Sequence, residues 1–145
     1  MKCYIASPWF DKDGFGFKEI EEIKKVLDEL YISYFSPKDM NLCLTDASEE
    51  EKEKCFQKNL DEISKCDFMI ANTRDKDIGT CIELGYAKAL KKSIILYCPQ
   101  IKHLTPNLML VGILRGVSFE IEELKNRINE FMTNIPSPKW EVKIE

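Results

Sequence analysis

Histidine is almost missing from this sequence: there is one, His103, in 145 residues. A serine or cysteine nucleophile of the triad kind needs an imidazole beside it, and His103, alone in a loop after a strand, reads as a surface residue rather than a general base. Paired cysteines are missing too. Cys3, Cys43, Cys55, Cys66, Cys81 and Cys98 form no CxxC pair, and one histidine does not complete a zinc site with them. Several fall in strand-like runs or beside helix core positions, where a free thiol behaves as a small hydrophobe, so reduced structural cysteines are expected in place of a disulfide framework. Glycine-rich phosphate loops of the GxGxxG or GxxxxGK type do not occur, and Arg74 is the sole arginine before residue 115. A mild net charge of −4 argues against a nucleic acid polymer as a partner, since phosphate-backbone binders concentrate Lys and Arg on one face. No stretch approaches the roughly 20 apolar residues of a membrane span, and MKCYIASPWF passes directly into a strand-like run. A cytoplasmic protein with no membrane partner is therefore expected.

What is present is a globular composition, 44% hydrophobic and 32% charged, over a length that fits one domain, residues 1–145. Lys2 to Ala6 reads as a first buried strand, followed by a turn at DKDGFGF. Phe17, Ile20, Ile23, Leu27 and Leu30 recur at helical spacing and mark an amphipathic helix ending near Tyr31. A second strand over residues 32–35 stops at Ser36 and Pro37, and residues 38–47 read as a loop. Ser48 and Glu51 form a capping box opening a helix to about Lys65, with Phe56, Leu60 and Ile63 as its inward stripe. DFMIA (67–71) and SIILY (93–97) are near-continuous apolar runs, the signature of strands covered on both faces. A helix lies between them, a fifth strand is expected near 116–119 after a loop containing PNLML, and Ile121, Leu124, Ile128 and Phe131 define a last helix. This alternation predicts an α/β fold: a flavodoxin-like, doubly wound, five-stranded parallel sheet in the order 2-1-3-4-5.

In that topology the crevice opens at the carboxyl ends of strands one and three, which brings Trp9, Phe10, Asp77 and Glu83 together. Glu83 is the most informative of these. At 100° per residue it shares the core-facing stripe of its helix with Tyr86, Ala87 and Leu90, while Lys88 and Lys92 fall opposite. A buried carboxylate is costly and invites a chemical explanation. The alternative is a capping box between Thr80 and Glu83. An inward carboxylate, a second acid six residues earlier, a first-strand tyrosine and aromatic walls suit attack on a sugar carbon through an oxocarbenium-like state. Glu83 would be the nucleophile and Asp77 an acid or hydrogen-bond partner of the leaving base, or else a solvated loop acid. Tyr4 would orient Glu83, or else serve as a core tyrosine. Trp9 and Phe10 would stack on a nucleobase, or staple onto the neighbouring helix. Without a phosphate cradle, a nucleoside fits better than a nucleotide.

The blocks YIASPWF (4–10), QKNLDEISKCDFMIAN (57–72), DIGTCIELGYAKAL (77–90) and PNLM (106–109) resemble, in order, those of the nucleoside 2-deoxyribosyltransferases. The resemblance implies transfer of 2-deoxyribose between nucleobases through a deoxyribosyl-enzyme ester, with retention at the anomeric carbon and no metal or organic cofactor. It implies a deoxyribonucleoside donor and a free nucleobase acceptor. It assigns catalytic roles to Glu83, Asp77 and Tyr4, and substrate-binding roles to Ala6, Trp9, Phe10, Asn59, Gly79, Asn107 and Met109. Asn107 belongs to a segment that in the family reaches a neighbouring subunit's site, so a homo-oligomer, dimer or hexamer, with shared sites is expected. Some members carry an aspartate where Asn59 stands, and some insert an aromatic C-terminus where this chain ends KWEVKIE with Trp140. The alternatives are an N-glycosidase hydrolysing the same bond, which in the related nucleotide hydrolases draws on serine, arginine and glycine residues for the 5-phosphate, and a non-enzymatic nucleotide-sensing module on the same fold.

Overall fold

The computed structural model describes residues 1–10, 13–101 and 107–138; His103, Pro106 and Trp140 lie outside them. Five strands, β1 (Lys2–Ala6), β2 (Ser33–Phe35), β3 (Phe68–Ala71), β4 (Ser93–Tyr97) and β5 (Gly116–Ser118), form one parallel sheet in the order β2-β1-β3-β4-β5. The helices are α1 (Phe15–Glu29), α2 (Pro37–Met40), α3 (Glu49–Lys65), α4 (Ile78–Ala89), α5 (Leu108–Ile113) and α6 (Ile121–Met132). Strand order and direction agree with the sequence-based expectation.

The period-two geometry of strands divides the core into two layers. Cys3 and Ile5 of β1, Phe68 and Ile70 of β3, and Ile95 and Tyr97 of β4 pack with Ile20, Ile23 and Leu27 of α1 and Leu124 and Ile128 of α6. Their neighbours Tyr4, Ala6, Met69, Ala71, Ile94 and Leu96 face the other way, onto Ile63 of α3 and Leu84 and Ala87 of α4. Hence the near-continuous apolar runs: both faces of the central strands are buried.

Several local expectations are corrected. Residues 37–40 are a short helix, begun by Pro37 at a position where its missing N–H and fixed φ are harmless. The PNLML loop gives way to α5, which Asn107 caps by accepting from Met109 N–H at 2.8 Å. Phe17 lies outside the buried stripe of α1, which runs through Gly16, Ile20, Ile23 and Leu27 with Val26 beside it; its ring is exposed and carries Lys38 Nζ at 4.0 Å from its centre. On α3 only Ile63 is fully buried, and Phe56 is exposed. The predicted Ser48–Glu51 capping box does form, with Glu51 N–H to Ser48 Oγ at 3.2 Å and Ser48 N–H to Glu51 Oε2 at 2.7 Å. Six free cysteines are present, of which Cys3, Cys66 and Cys98 are buried. No helix among the described residues is long and apolar enough to cross a membrane.

Candidate active site

Tyr4 is the central residue of β1 and points into the layer shared with α3 and α4. Its ring stacks on Phe35 at 5.7 Å, and its hydroxyl donates to Glu83 Oε1 at 2.6 Å. Glu83 lies in the second turn of α4, because the helix starts at Ile78 rather than at Thr80. The Thr80–Glu83 capping box does not form. Asp77 is the N-cap instead, its Oδ2 accepting from Thr80 N–H at 2.7 Å and from Thr80 Oγ at 2.8 Å. Freed from capping, the Glu83 side chain reaches across to the sheet. Gly79 leaves room for this cap, since a Cβ there would stand 3.3 Å from Asp77 Oδ2.

Burial raises the Glu83 carboxyl to about 7, the Tyr4 hydrogen bond pulls it back down and the charge of Asp77 pushes it up. Burial also raises Tyr4 well above a phenol's ordinary value, with the Glu83 charge adding to the effect, so the hydroxyl keeps its proton and serves as a donor. Among the described residues no hydrogen bond reaches Glu83 Oε2. One carboxylate oxygen is thereby held by the sheet.

A cavity of about 200 Å³ opens here, lined by Glu83, Asp77, Gly79, Thr80, Trp9, Phe10 and Asn59 together with Ser7, Pro8, Pro37, Asn41, Cys43 and Cys55. Trp9 and Phe10 stack at 3.7 Å with 29° between their planes, forming an aromatic wall. Trp9 also packs against the α1 layer, so it serves the core as well as the cavity. Ala6 is fully buried and gives its carbonyl to Asn72 N–H at 2.9 Å; the cavity lining starts one residue later, at Ser7. Asn107 and Met109 are not among the residues lining this cavity; Met109 is 75% exposed. Asn41, Cys43 and Cys55 were not anticipated. The signal for the first two was the loop at the carboxyl end of β2, beside β1. For Cys55 it was the four-residue spacing from Asn59 on one helix face.

The loop before α4 is strained, with Asp75 and Lys76 both left-handed at φ 57° and 54°. Such residues cost on the order of 1–2 kcal/mol each. The loop is anchored at both ends: Asp77 caps α4, and the Arg74 guanidinium pairs with the buried Glu19, which Asn72 also contacts. These anchors deliver Asp77 to the cavity mouth. Arg74 lines a separate hollow with Phe15, Lys18 and Tyr97.

A sequence model of the family described as nucleoside 2-deoxyribosyltransferase matches residues 3–132. The chain belongs to this family. A 2-deoxyribosyltransferase from the psychrotolerant bacterium Bacillus psychrosaccharolyticus superposes with a TM-score of 0.82 at 26% identity, over 97% of this chain and 100% of that one. A 2-deoxyribosyltransferase from Leishmania mexicana aligns with a TM-score of 0.54 at 27% identity, over 77% of this chain and 71% of its own. A CMP N-glycosidase from Clostridium botulinum shares the fold, with a TM-score of 0.61 at 19% identity, over 89% and 99%. No curated protein sequence matches the chain. Family membership makes this deoxyribosyltransferase-like chain an enzyme, and it agrees with the parallel sheet order found above.

Proposed function

We propose that this family member transfers 2-deoxyribose from a deoxyribonucleoside to a free nucleobase by double displacement. The observation that carries the reading is the Glu83 carboxylate, half-buried, held at one oxygen by Tyr4 and open at the other in an aromatic-walled cavity. In the first step Glu83 Oε2 bonds to the anomeric carbon from the face opposite the base. The glycosidic C–N bond breaks, its electron pair leaves with the base, and the base takes up a proton. In the second step a ring nitrogen of the incoming base attacks the same carbon, the ester bond returns its electrons to Glu83, and the base sheds a proton. Two inversions give retention. Tyr4 holds the carboxylate in line, and Asp77, with Oδ2 committed to Thr80, turns Oδ1 to the base. Trp9, Phe10, Asn59 and Gly79 line the base side of the cavity.

Asn107 and Met109 are assigned to the sugar end of a neighbouring subunit's site, which makes the enzyme a homo-oligomer. Supporting this are the exposed apolar side chains of Phe56, Ile82, Leu108 and Met109, more than a monomer's scattered surface residues require. Hydrolysis is the second reading, favoured by the shared fold with a CMP N-glycosidase. Arg74 speaks against a nucleotide substrate here, because Glu19 engages its guanidinium and it lines a different hollow.

The test is to incubate the protein with deoxyinosine, with and without adenine. Adenine-dependent formation of deoxyadenosine supports transfer, and base release at the same rate without acceptor supports hydrolysis. Glu83→Ala is expected to lose several orders of magnitude in turnover, and a 2-fluoro-substituted nucleoside is expected to leave its label on Glu83 by mass spectrometry. A variant that keeps wild-type turnover sinks the mechanism.

A further inference from the structure

Two amides of the cavity are locked in one orientation. Asn41, just after α2, places Nδ2 2.7 Å from the carbonyl oxygen of Cys55 and 2.8 Å from Oδ1 of Asn59. A backbone carbonyl only accepts, so the Asn41 atom facing it is the nitrogen. That nitrogen's second N–H then faces Asn59, which answers with its oxygen. The consequence is that Asn59 holds Nδ2, a donor, away from Asn41, while Asn41 Oδ1 remains an acceptor. Neither of these two atoms has a partner among the described residues, and both side chains line the Glu83 cavity. Asp77 adds a second acceptor in Oδ1, since Thr80 takes its Oδ2. The wall therefore offers one donor and two acceptors.

We infer that this site selects nucleobases bearing an exocyclic amino group beside an unprotonated ring nitrogen, adenine and cytosine, over their oxo counterparts hypoxanthine and uracil. The inference rests on the deoxyribosyl transfer reading. An amino group supplies two N–H donors for the two acceptors, and the adjacent ring nitrogen accepts from Asn59. An oxo base turns a carbonyl oxygen toward the Asp77 carboxylate or the Asn41 oxygen and leaves that acceptor unpaired, which discriminates by roughly ten- to a hundredfold. Asn59 is the reader. Asn41 supplies one of the two acceptors and also prevents the Asn59 amide from flipping.

The experiment measures free-base affinities of the full chain for adenine, hypoxanthine, cytosine and uracil by calorimetry, beside kcat/KM for transfer to each. The wild type is expected to prefer each amino base at least tenfold in both readouts. In Asn41→Ala the preference is expected to fall below threefold, through KM rather than kcat, because one acceptor for the amino group is lost and Asn59 then presents either end. Asn59→Asp keeps the bond from Asn41 while replacing the donor by an acceptor, and is expected to weaken adenine about tenfold with the melting temperature unchanged. Equal affinities in the wild type, or a preference that survives Asn41→Ala, overturn the inference. Selective binding without transfer to any base would remove the transferase reading and leave the selectivity standing; transfer with equal efficiency to all four bases would do the reverse.

Discussion

Replacing Glu83 by glutamine keeps the shape of the side chain and the acceptor for the Tyr4 hydroxyl while removing a charge that burial disfavours. Burial lifts the carboxyl from 4.5 to about 7 in the folded protein, so folding favours its protonated form. Below pH 4.5 the group is protonated in both folded and unfolded chains, and the variant and wild type are expected to be equally stable. As pH rises from 4.5 to 7 the unfolded chain ionises first and the wild type loses stability; above 7 the loss is complete. A rise of about two and a half pH units, at about 1.4 kcal/mol each, is worth at most about 3.5 kcal/mol, since Glu83 keeps some solvent contact. For a chain of this size that is roughly 10 °C in melting temperature. Urea denaturation of both proteins from pH 4.5 to 8.5 is the assay. The titration of every other group is common to the two, so the difference isolates Glu83. Glu83→Gln is expected to match the wild type at pH 4.5, to exceed it increasingly up to pH 8, and to be inactive throughout. Stability curves that stay parallel across the whole range would refute the argument that the carboxylate is desolvated.

Tyr4→Phe removes the donor that favours the ionised carboxylate. The acid limb of its kcat/KM profile is expected to move above the wild-type midpoint near pH 7, so activity falls more at pH 6 than at pH 9. Arg74→Ala leaves the Glu19 carboxylate, 6% exposed, without its cationic partner, and is expected to cost about 3–5 kcal/mol by denaturant titration. Unchanged stability with loss of nucleotide binding would instead make Arg74 a phosphate ligand. Asp77→Ala deletes the α4 cap, worth about 1 kcal/mol, and the expected loss in kcat/KM is larger than that. A mere solvated cap would show the stability change alone.

Much of the architecture was legible because the central strands are buried on both faces. DFMIA and SIILY have no other economical reading, and their alternation with helices implies a parallel sheet and its crevice. The inward position of Glu83 followed from helical periodicity, and Tyr4 from strand alternation. The outer helices were less legible. Phe56 sits at core spacing on α3 and is nonetheless exposed, because a periodic stripe states which residues share a face but not what covers it. The Asn41–Asn59 contact joins positions 18 residues apart across a loop without periodicity, which left no local pattern to read. The choice between capping box and inward carboxylate was open for the same reason: it depends on which neighbour offers the better hydrogen bond.

Residue order alone decided the sheet order, the crevice and the carboxylate that faces it, since hydrophobic periodicity acts within each segment and needs no partner to be recognised. Tertiary structure alone decided that Tyr4 rather than Thr80 binds Glu83, that Asp77 both caps α4 and lines the cavity, and that Arg74 pairs with Glu19. Those are contacts between groups far apart in the chain, and their energies depend on distance and burial, which only the folded arrangement sets.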